Sequence, residues 1–192
     1  MPKVNISYCA AAEYVESGSG TQPTYQNGKK LLKAQAVTTT PQGGGGNPYF
    51  ELGQLAGDDT SISSENISLQ FSDFSLEDFV FVLGRKTETI GGKSVITTTT
   101  GDISPFIGIG YVVEHRNRDE VSYRAHVLVK VQMAPNEEAI QQREDNITWQ
   151  FYTLTGRALA DRNTNAIKYS METGGTLEEA ITWINTLFNI ST

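Results

Sequence analysis

Polar and apolar positions alternate most strictly between Val121 and Met133. Val121, Tyr123, Ala125, Val127, Val129, Val131 and Met133 are apolar, whereas Ser122, Arg124, His126, Lys130 and Gln132 are polar. Leu128 alone breaks the rule. Successive side chains leave opposite faces of a pleated strand, so this pattern predicts a long, half-buried strand. A second run, Asn146–Thr155, places Ile147, Trp149 and Phe151 on one face and then shifts to Tyr152 and Leu154. A one-residue shift of this kind is what a β-bulge produces, and a bulge bends the strand. Together the two runs predict a deliberately curved sheet.

Clean alternation predicts a further strand at Asn66–Phe71, and looser patterns predict others at Val4–Tyr14, at Lys30–Thr40 (closed by Pro41) and in the short stretch Ile167–Met171. Phe106–Val113 is apolar on both faces, as in a fully buried strand, and Gly108 and Gly110 predict close approach of a neighbouring backbone. Arg85–Asp102 reads as a polar hairpin turning at Gly91-Gly92, and Glu114–Glu120 as a seven-residue charged turn. Asp161, Asn163 and Asn165 are turn signals. Two stretches change period. Ser75 as N-cap, acidic Glu77 and Asp78, apolar Leu76, Phe79, Val80 and Leu83, and Gly84 past the end predict a short helix. Thr176-Leu-Glu-Glu179 reads as a capping box opening a helix over 176–189, with Leu177, Ala180, Ile181, Ile184 and Leu187 at helical spacing.

The segment 41–59 fits neither period. Four consecutive glycines, Gly43–Gly46, are entropically costly to order, yet Tyr49, Phe50, Leu52 and Leu55 are too apolar for a solvated linker. The combination predicts a loop that orders against a partner, with Pro41, Gly43, Gly46, Tyr49, Phe50, Leu52 and Leu55 as its contact residues.

Composition adds limits. With 192 residues the chain suits a single domain spanning 1–192. Its threonine-, serine- and glycine-rich gaps suit a mainly β fold. A net charge of −7 disfavours adhesion to nucleic acid or anionic lipid. No apolar run approaches a membrane span, and the opening segment, broken by Glu13 and Glu16, does not read as a signal peptide. The single cysteine, Cys9, has no partner within the chain for a disulfide. The four Asn-Ile-Ser/Thr sequons, at Asn5, Asn66, Asn146 and Asn189, read as strand chemistry. No catalytic set, metal site, cofactor motif or phosphate loop is expected. Pairing Cys9 with His115 or His126 lacks any spacing that supports it, and His115, Asp119 and Glu120 read as a solvated turn rather than ligands.

Three blocks carry a family resemblance: PFIGIGYVVEHRN, SYRAHVLVKVQMAPNEEA and DNITWQFYTLTGR. With SYCAAAEY, SLEDFVFVLG and TLEEAITWINTLF, they resemble the major tail proteins of long-tailed, non-contractile bacteriophages. Met133 stands where that pattern has an aromatic, and the oligoglycine run is foreign to it. The resemblance implies a mainly β (α+β) domain, a β-sandwich or half-barrel of tail-tube type with a short flanking helix and a C-terminal helix. It implies a virion protein, assembled in the host bacterial cytoplasm, that forms stacked hexameric rings and hence the tube through which DNA is ejected. The DNA would pass without specific binding, and the expected partners are other copies, the tape measure, the tail terminator and the tail tip. In that frame the loop 41–59 reaches the adjacent ring. Val121, Tyr123, Val127, Ile147 and Trp149 lie on strands joining neighbouring subunits, and Glu114, Asp119 and Glu120 are candidate lumen or turn charges. The polar face with Arg124, His126 and Lys130 carries no carboxylate, so the strand pattern leaves the lumen face unassigned. Two alternatives are a β-sandwich recognition module of a tail tip or baseplate, and the tube subunit of a contractile injection system.

Overall fold

The computed structural model describes residues 2–18, 21–43, 49–52, 54–57, 61–118, 120–134, 151–173 and 175–191. The fold is mainly β with two short helices. Its centre is a three-strand layer of β1 (Lys3–Val15), β9 (Phe106–Asn117) and β10 (Glu120–Met133). β1 pairs antiparallel with β9, and β9 with β10. This layer is buried on both faces, which is why its strands read as small or continuously apolar: Cys9–Ala12, Ile107, Ile109, Tyr111 and Val112 are all enclosed.

Over one face lies α2 (Leu177–Phe188). Its stripe of Ala180, Ile184 and Phe188 meets Ala10, Ala12, Val112, Ala125, Val127 and Tyr25 of β2 (Thr24–Lys30). Each large side chain buried there stabilises by about 1.5–3 kcal/mol. Over the other face folds a second wing, β3 (Ala34–Gly43), β6 (Ile62–Phe71) and β11 (Tyr152–Leu159), together with α1 (Leu76–Leu83). Ile67, Leu69, Phe71, Leu154 and Ala158 from the wing join Val82 and Leu83 from α1 against Ile107, Ile109, Leu128, Val131 and Met133. The sheet runs β2-β1-β9-β10-β11-β6-β3, with β12 (Lys168–Thr173) also pairing β10.

The fork lies in β10. Tyr123–Leu128 pair with β12, whereas Lys130–Met133 pair with β11. Between them the register to β9 shifts. Val129 sits at the break, its N–H donating to Ile167 O at 2.9 Å and its carbonyl accepting the Tyr25 hydroxyl at 3.0 Å. The extra residue reverses the alternation. Ala125 and Val127 face α2, but Val131 and Met133 share the opposite core with Leu128. Leu128 is therefore the residue where the phase begins to turn, not an isolated exception. The bulge anticipated near Phe151 lies partly outside the described residues; from Tyr152 to Leu159 the ladder to β6 is regular.

Several expectations need correction. Lys30–Thr40 is not one strand: β2 ends at Lys30, the chain turns through Leu32 and Lys33 (φ 67°), and β3 begins at Ala34. Pro41 does not close β3, which continues to Gly43 with Pro41 opposite Glu65. Pro is tolerated because β3 pairs with β6 alone among the described residues. Glu114–Glu120 is not a seven-residue turn, since β9 runs to Asn117 and β10 starts at Glu120. The connection 44–61 carries its own small hairpin, β4 (Tyr49–Glu51) and β5 (Gln54–Gly57). A second hairpin, β7 (Lys86–Ile90) with β8 (Lys93–Thr97), turns at Gly91 and Gly92 as read from the sequence.

The helix caps exchange roles. In α1 the Asp78 amide donates to Ser75 Oγ at 3.2 Å, and the Ser75 amide donates to Asp78 Oδ2 at 3.3 Å, completing a capping box. Thr176 makes no side-chain cap bond, so the box read at α2 does not form. α2 is instead fixed at its far end. Asn189 is left-handed (φ 53°), the Ile190 amide bonds Asn185 O at 2.9 Å, and Asn189 Nδ2 bonds Tyr25 O at 2.7 Å.

Candidate interaction surface

The wing joins the central layer through β10 and β11 and folds back over it, and at the far side β1 and β3 face each other without pairing. Among the described residues, Lys3–Tyr8 of β1 pair only with β9, and β3 pairs only with β6. The two borders converge where the Leu31 amide bonds Cys9 O at 3.0 Å. They enclose a cleft of about 570 Å³ whose walls are Lys3–Ile6 and Gln35–Thr39. Tyr111 and Val113 form its floor, and Arg124, His126 and Lys168 enter from β10 and β12.

The cleft brings basic side chains together, two of them paired with carboxylates at its margin. Arg124 Nη2 lies 3.0 Å from Glu172 Oε1, and Lys168 Nζ lies 3.2 Å from Glu65 Oε1 and 5.8 Å from the Tyr111 ring centre. His126 Nδ1 lies 2.8 Å from Ser170 Oγ, with its ring 5.2 Å from that of Tyr111. Partial burial, reinforced by the charges of Lys168, Lys3, His115 and Arg124, pushes the His126 imidazole down to about 4. It is neutral at pH 7, so the cleft's cations are Lys3, Arg124 and Lys168, of which Arg124 and Lys168 are each paired with a carboxylate. Burial is the largest single influence on the Lys168 ammonium and lowers its pKa, but Tyr111 and Glu65 together outweigh it and leave the group above the ordinary lysine value.

A larger groove of about 690 Å³ crosses the outward face of the wing, lined by Thr38, Thr40, Asn66, Ser68, Thr155 and Arg157. Its charges are answered locally: Arg85 pairs with Asp102 at 3.3 Å, and Arg157 Nε donates to Asn66 at 3.4 Å.

The residues singled out from the sequence are dispersed. Pro41 and Gly43 are in β3, and Leu52 is fully exposed with φ 50° in the β4–β5 turn. Tyr49, Phe50 and Leu55 lie on the β4–β5 hairpin, while Gly46, Asp119, Ile147 and Trp149 fall outside the described residues. Val121 and Tyr123 are half-buried, but Val127 is wholly enclosed beneath α2, so its side chain contacts its own chain rather than a neighbour. Glu114 pairs with Arg116 at 3.3 Å inside β9, and Glu120 is exposed at the start of β10. Arg124, His126 and Lys130 do not share a face. The bulge leaves the first two in the cleft and carries Lys130 to the other side, over the rings of Tyr14 and Phe106 at 5.0 and 4.5 Å.

Gly108 and Gly110 admit side chains rather than a backbone. A Cβ at Gly108 would stand 2.3 Å from Tyr25 Cε1, and one at Gly110 would stand 2.7 Å from Ile184 Cγ2. Cys9 is buried with its thiol pushed up to about 12, hence protonated at neutral pH. His115 is buried in β9 opposite Lys3 and Ser122. Among the described residues no group of three His, Cys, Asp or Glu side chains is placed to hold a metal, and no helix is long and apolar enough to cross a membrane.

Sequence reasoning missed the cleft itself. Lys3, Gln35, Tyr111, Arg124 and Lys168 come from five strands far apart in the chain, and only the fold assembles them. No family model matches the chain, and no curated protein matches it.

Proposed function

We propose that this chain is a structural subunit that assembles with copies of itself into rings and then into a tube, as a phage tail-tube protein does. The observation that carries the reading is the half-closed sheet. Among the described residues β3 and the first half of β1 each keep one border without a strand partner, and together they flank an open cleft. Such borders are templates for pairing with another chain, and ring closure removes them. The β3–β6 pair, ten residues in each strand and joined in sequence by the glycine-rich segment, adds support as a long border strand backed by the wing. The acidic balance suits a conduit that DNA must traverse without sticking.

The test is sedimentation across a wide concentration range, with negative-stain microscopy of the heaviest fractions. Rings or tubes are the expected result. A species that stays monomeric at every concentration refutes the proposal. Replacing residues 44–60 by a two-residue turn keeps the ladder from Gly43 to Ile62 and should give a folded protein that no longer polymerises. Long tubes from that variant would remove the segment from the assembly contact.

A further inference from the structure

Asn27 and Gly28 stand side by side in β2, and the fold supplies a reason for each. Asn27 has φ 53°, in the left-handed region that asparagine tolerates better than most residues with a side chain. Gly28 lies against the C-terminal end of α2, where a Cβ would stand 2.2 Å from Phe188 O and 2.6 Å from Ile190 Cγ1. The nearer atom is backbone and cannot swing aside, so the position requires glycine. The β1–β2 register shifts between Ala11 and Glu13, and its pairs skip both Asn27 and Gly28. Packing and backbone geometry thus join two residues whose junction is chemically weak. Asn27 is the one asparagine of the chain that precedes glycine; Asn5, Asn66, Asn146 and Asn189 precede isoleucine, whose branched side chain hinders attack by its own amide.

We propose that Asn27 is a deamidation site gated by the opening of β2. In the reaction the Gly28 amide nitrogen gives its proton to solvent and attacks Asn27 Cγ. The Cγ–Nδ2 bond breaks, the nitrogen leaves as ammonia with a proton taken from water, and a cyclic imide remains. Water then opens the ring at either carbonyl, leaving aspartate or isoaspartate. Two features hold the folded chain back. A left-handed backbone turns the asparagine side chain away from the following nitrogen, and Asn27 Nδ2 donates to Glu13 Oε2 at 2.8 Å. Attack therefore waits for β2 to lift from β1. Among the described residues β2 pairs with β1 alone, and Asn27 is exposed, so the opening is local. The product impedes return, because its carboxylate faces that of Glu13 and the isoaspartate form lengthens the strand by one backbone carbon. β2 also carries Tyr25, whose carbonyl accepts Asn189 Nδ2 at 2.7 Å and whose ring centre lies 4.9 Å from that of Phe188. The reaction consequently loosens α2 at its C-terminal end.

Peptide mapping by mass spectrometry, with an isoaspartate assay, tests this on protein held at mildly alkaline pH. The folded chain should gain acid and isoaspartate at Asn27, at least about tenfold more slowly than the chain in urea. A folded protein that stays intact there while the unfolded chain reacts overturns the proposal, as do equal rates in the two. Glu13→Ala should react faster than the wild type when folded and equally fast in urea; an unchanged folded rate overturns the gate. Thermal melting checks that this variant folds. If it does not, the gate is read in the wild type under sub-denaturing urea, where product should rise in step with hydrogen exchange of the β2 amides, and a level yield overturns it. Asn27→Gly keeps the backbone conformation without the amide, so continued gain of acid in its β2 peptide overturns Asn27 as the site. Asn27→Asp should melt roughly 2–4 °C below the wild type. That gap should close below about pH 4, where the new carboxylate is protonated. A variant melting with the wild type at neutral pH overturns the claim that the product impedes return.

Discussion

Gly108→Ala isolates the reason β9 carries glycines on its α2 face. The added methyl would stand 2.3 Å from Tyr25 Cε1, 2.9 Å from Cδ1 and 3.1 Å from Phe188 Cε1. A ring is rigid, so relief requires Tyr25 to move by about 1 Å, since ordinary carbon contacts begin near 3.5 Å. Tyr25 is not free to move. Its hydroxyl donates to Val129 O at 3.0 Å, its ring centre lies 4.9 Å from that of Phe188, and it is buried. Overpacking of this kind costs about 1–3 kcal/mol, and loss of a buried hydrogen bond costs about 1–3 kcal/mol more. Against this, replacing glycine where the backbone is compatible returns about 0.4–1 kcal/mol through the unfolded chain. The steric effect wins, with a net loss of roughly 2–4 kcal/mol. For a chain of this size that lowers the melting temperature by roughly 5–15 °C. Calorimetry or circular dichroism measures it, with Gly101→Ala as the control: nothing lies within 4 Å of a Cβ there. A Gly108→Ala protein that melts with the control refutes the packing argument. Gly110→Ala provides an internal check, because truncating the facing Ile184 to Ala should cost less in that background than in the wild type.

Three further outcomes are expected. Ser75→Ala removes the acceptor for the Asp78 amide and should destabilise by about 1 kcal/mol in thermal or urea unfolding, whereas Thr176→Ala, which loses no side-chain cap bond, should change little. Gly84→Ala forces a left-handed residue (φ 66°) against Ile103 O at 2.9 Å and should cost about 1–2 kcal/mol, read from the same melts. His126 has a folded pKa of about 4, below its unfolded value of about 6.5, so the folded state binds fewer protons between them. Its contribution is therefore complete above pH 6.5 and is lost as pH falls toward 4. The imidazole resonances should titrate near pH 4, and His126→Gln should flatten the fall in melting temperature over that window; a midpoint near 6.5 would contradict the burial and charge argument.

Period alone located much of this molecule. Two-residue alternation marked β6 through Ile67, Leu69 and Phe71, and the apolar double face of Phe106–Val113 marked the central strand. Ser75 and Gly84 bounded α1, and the spacing of Ala180 and Ile184 gave the buried stripe of α2. These signals are local: they depend on which way a side chain leaves its own backbone. β2 escaped because it is an edge strand that buries chiefly Tyr25, so its sequence TYQNGKK carries little alternation. The capping box at Thr176 misled because the residue types were right while the Thr176 side chain makes no cap bond.

What the amino-acid order determined by itself was the central strands, β6 and the two helices, together with the buried face of each. It could not determine which core each side chain enters. Val127 and Val131 look equivalent in the alternation, yet the bulge at Val129 sends one beneath α2 and the other beneath the β6–β11 wing. That choice follows from β10 changing partners from β12 to β11, contacts between residues more than twenty positions apart. The cleft between β1 and β3 is of the same kind. Lys3, Arg124 and Lys168 acquire a common field only after β1, β10 and β12 are placed together, because charge acts through distance in space and not along the chain.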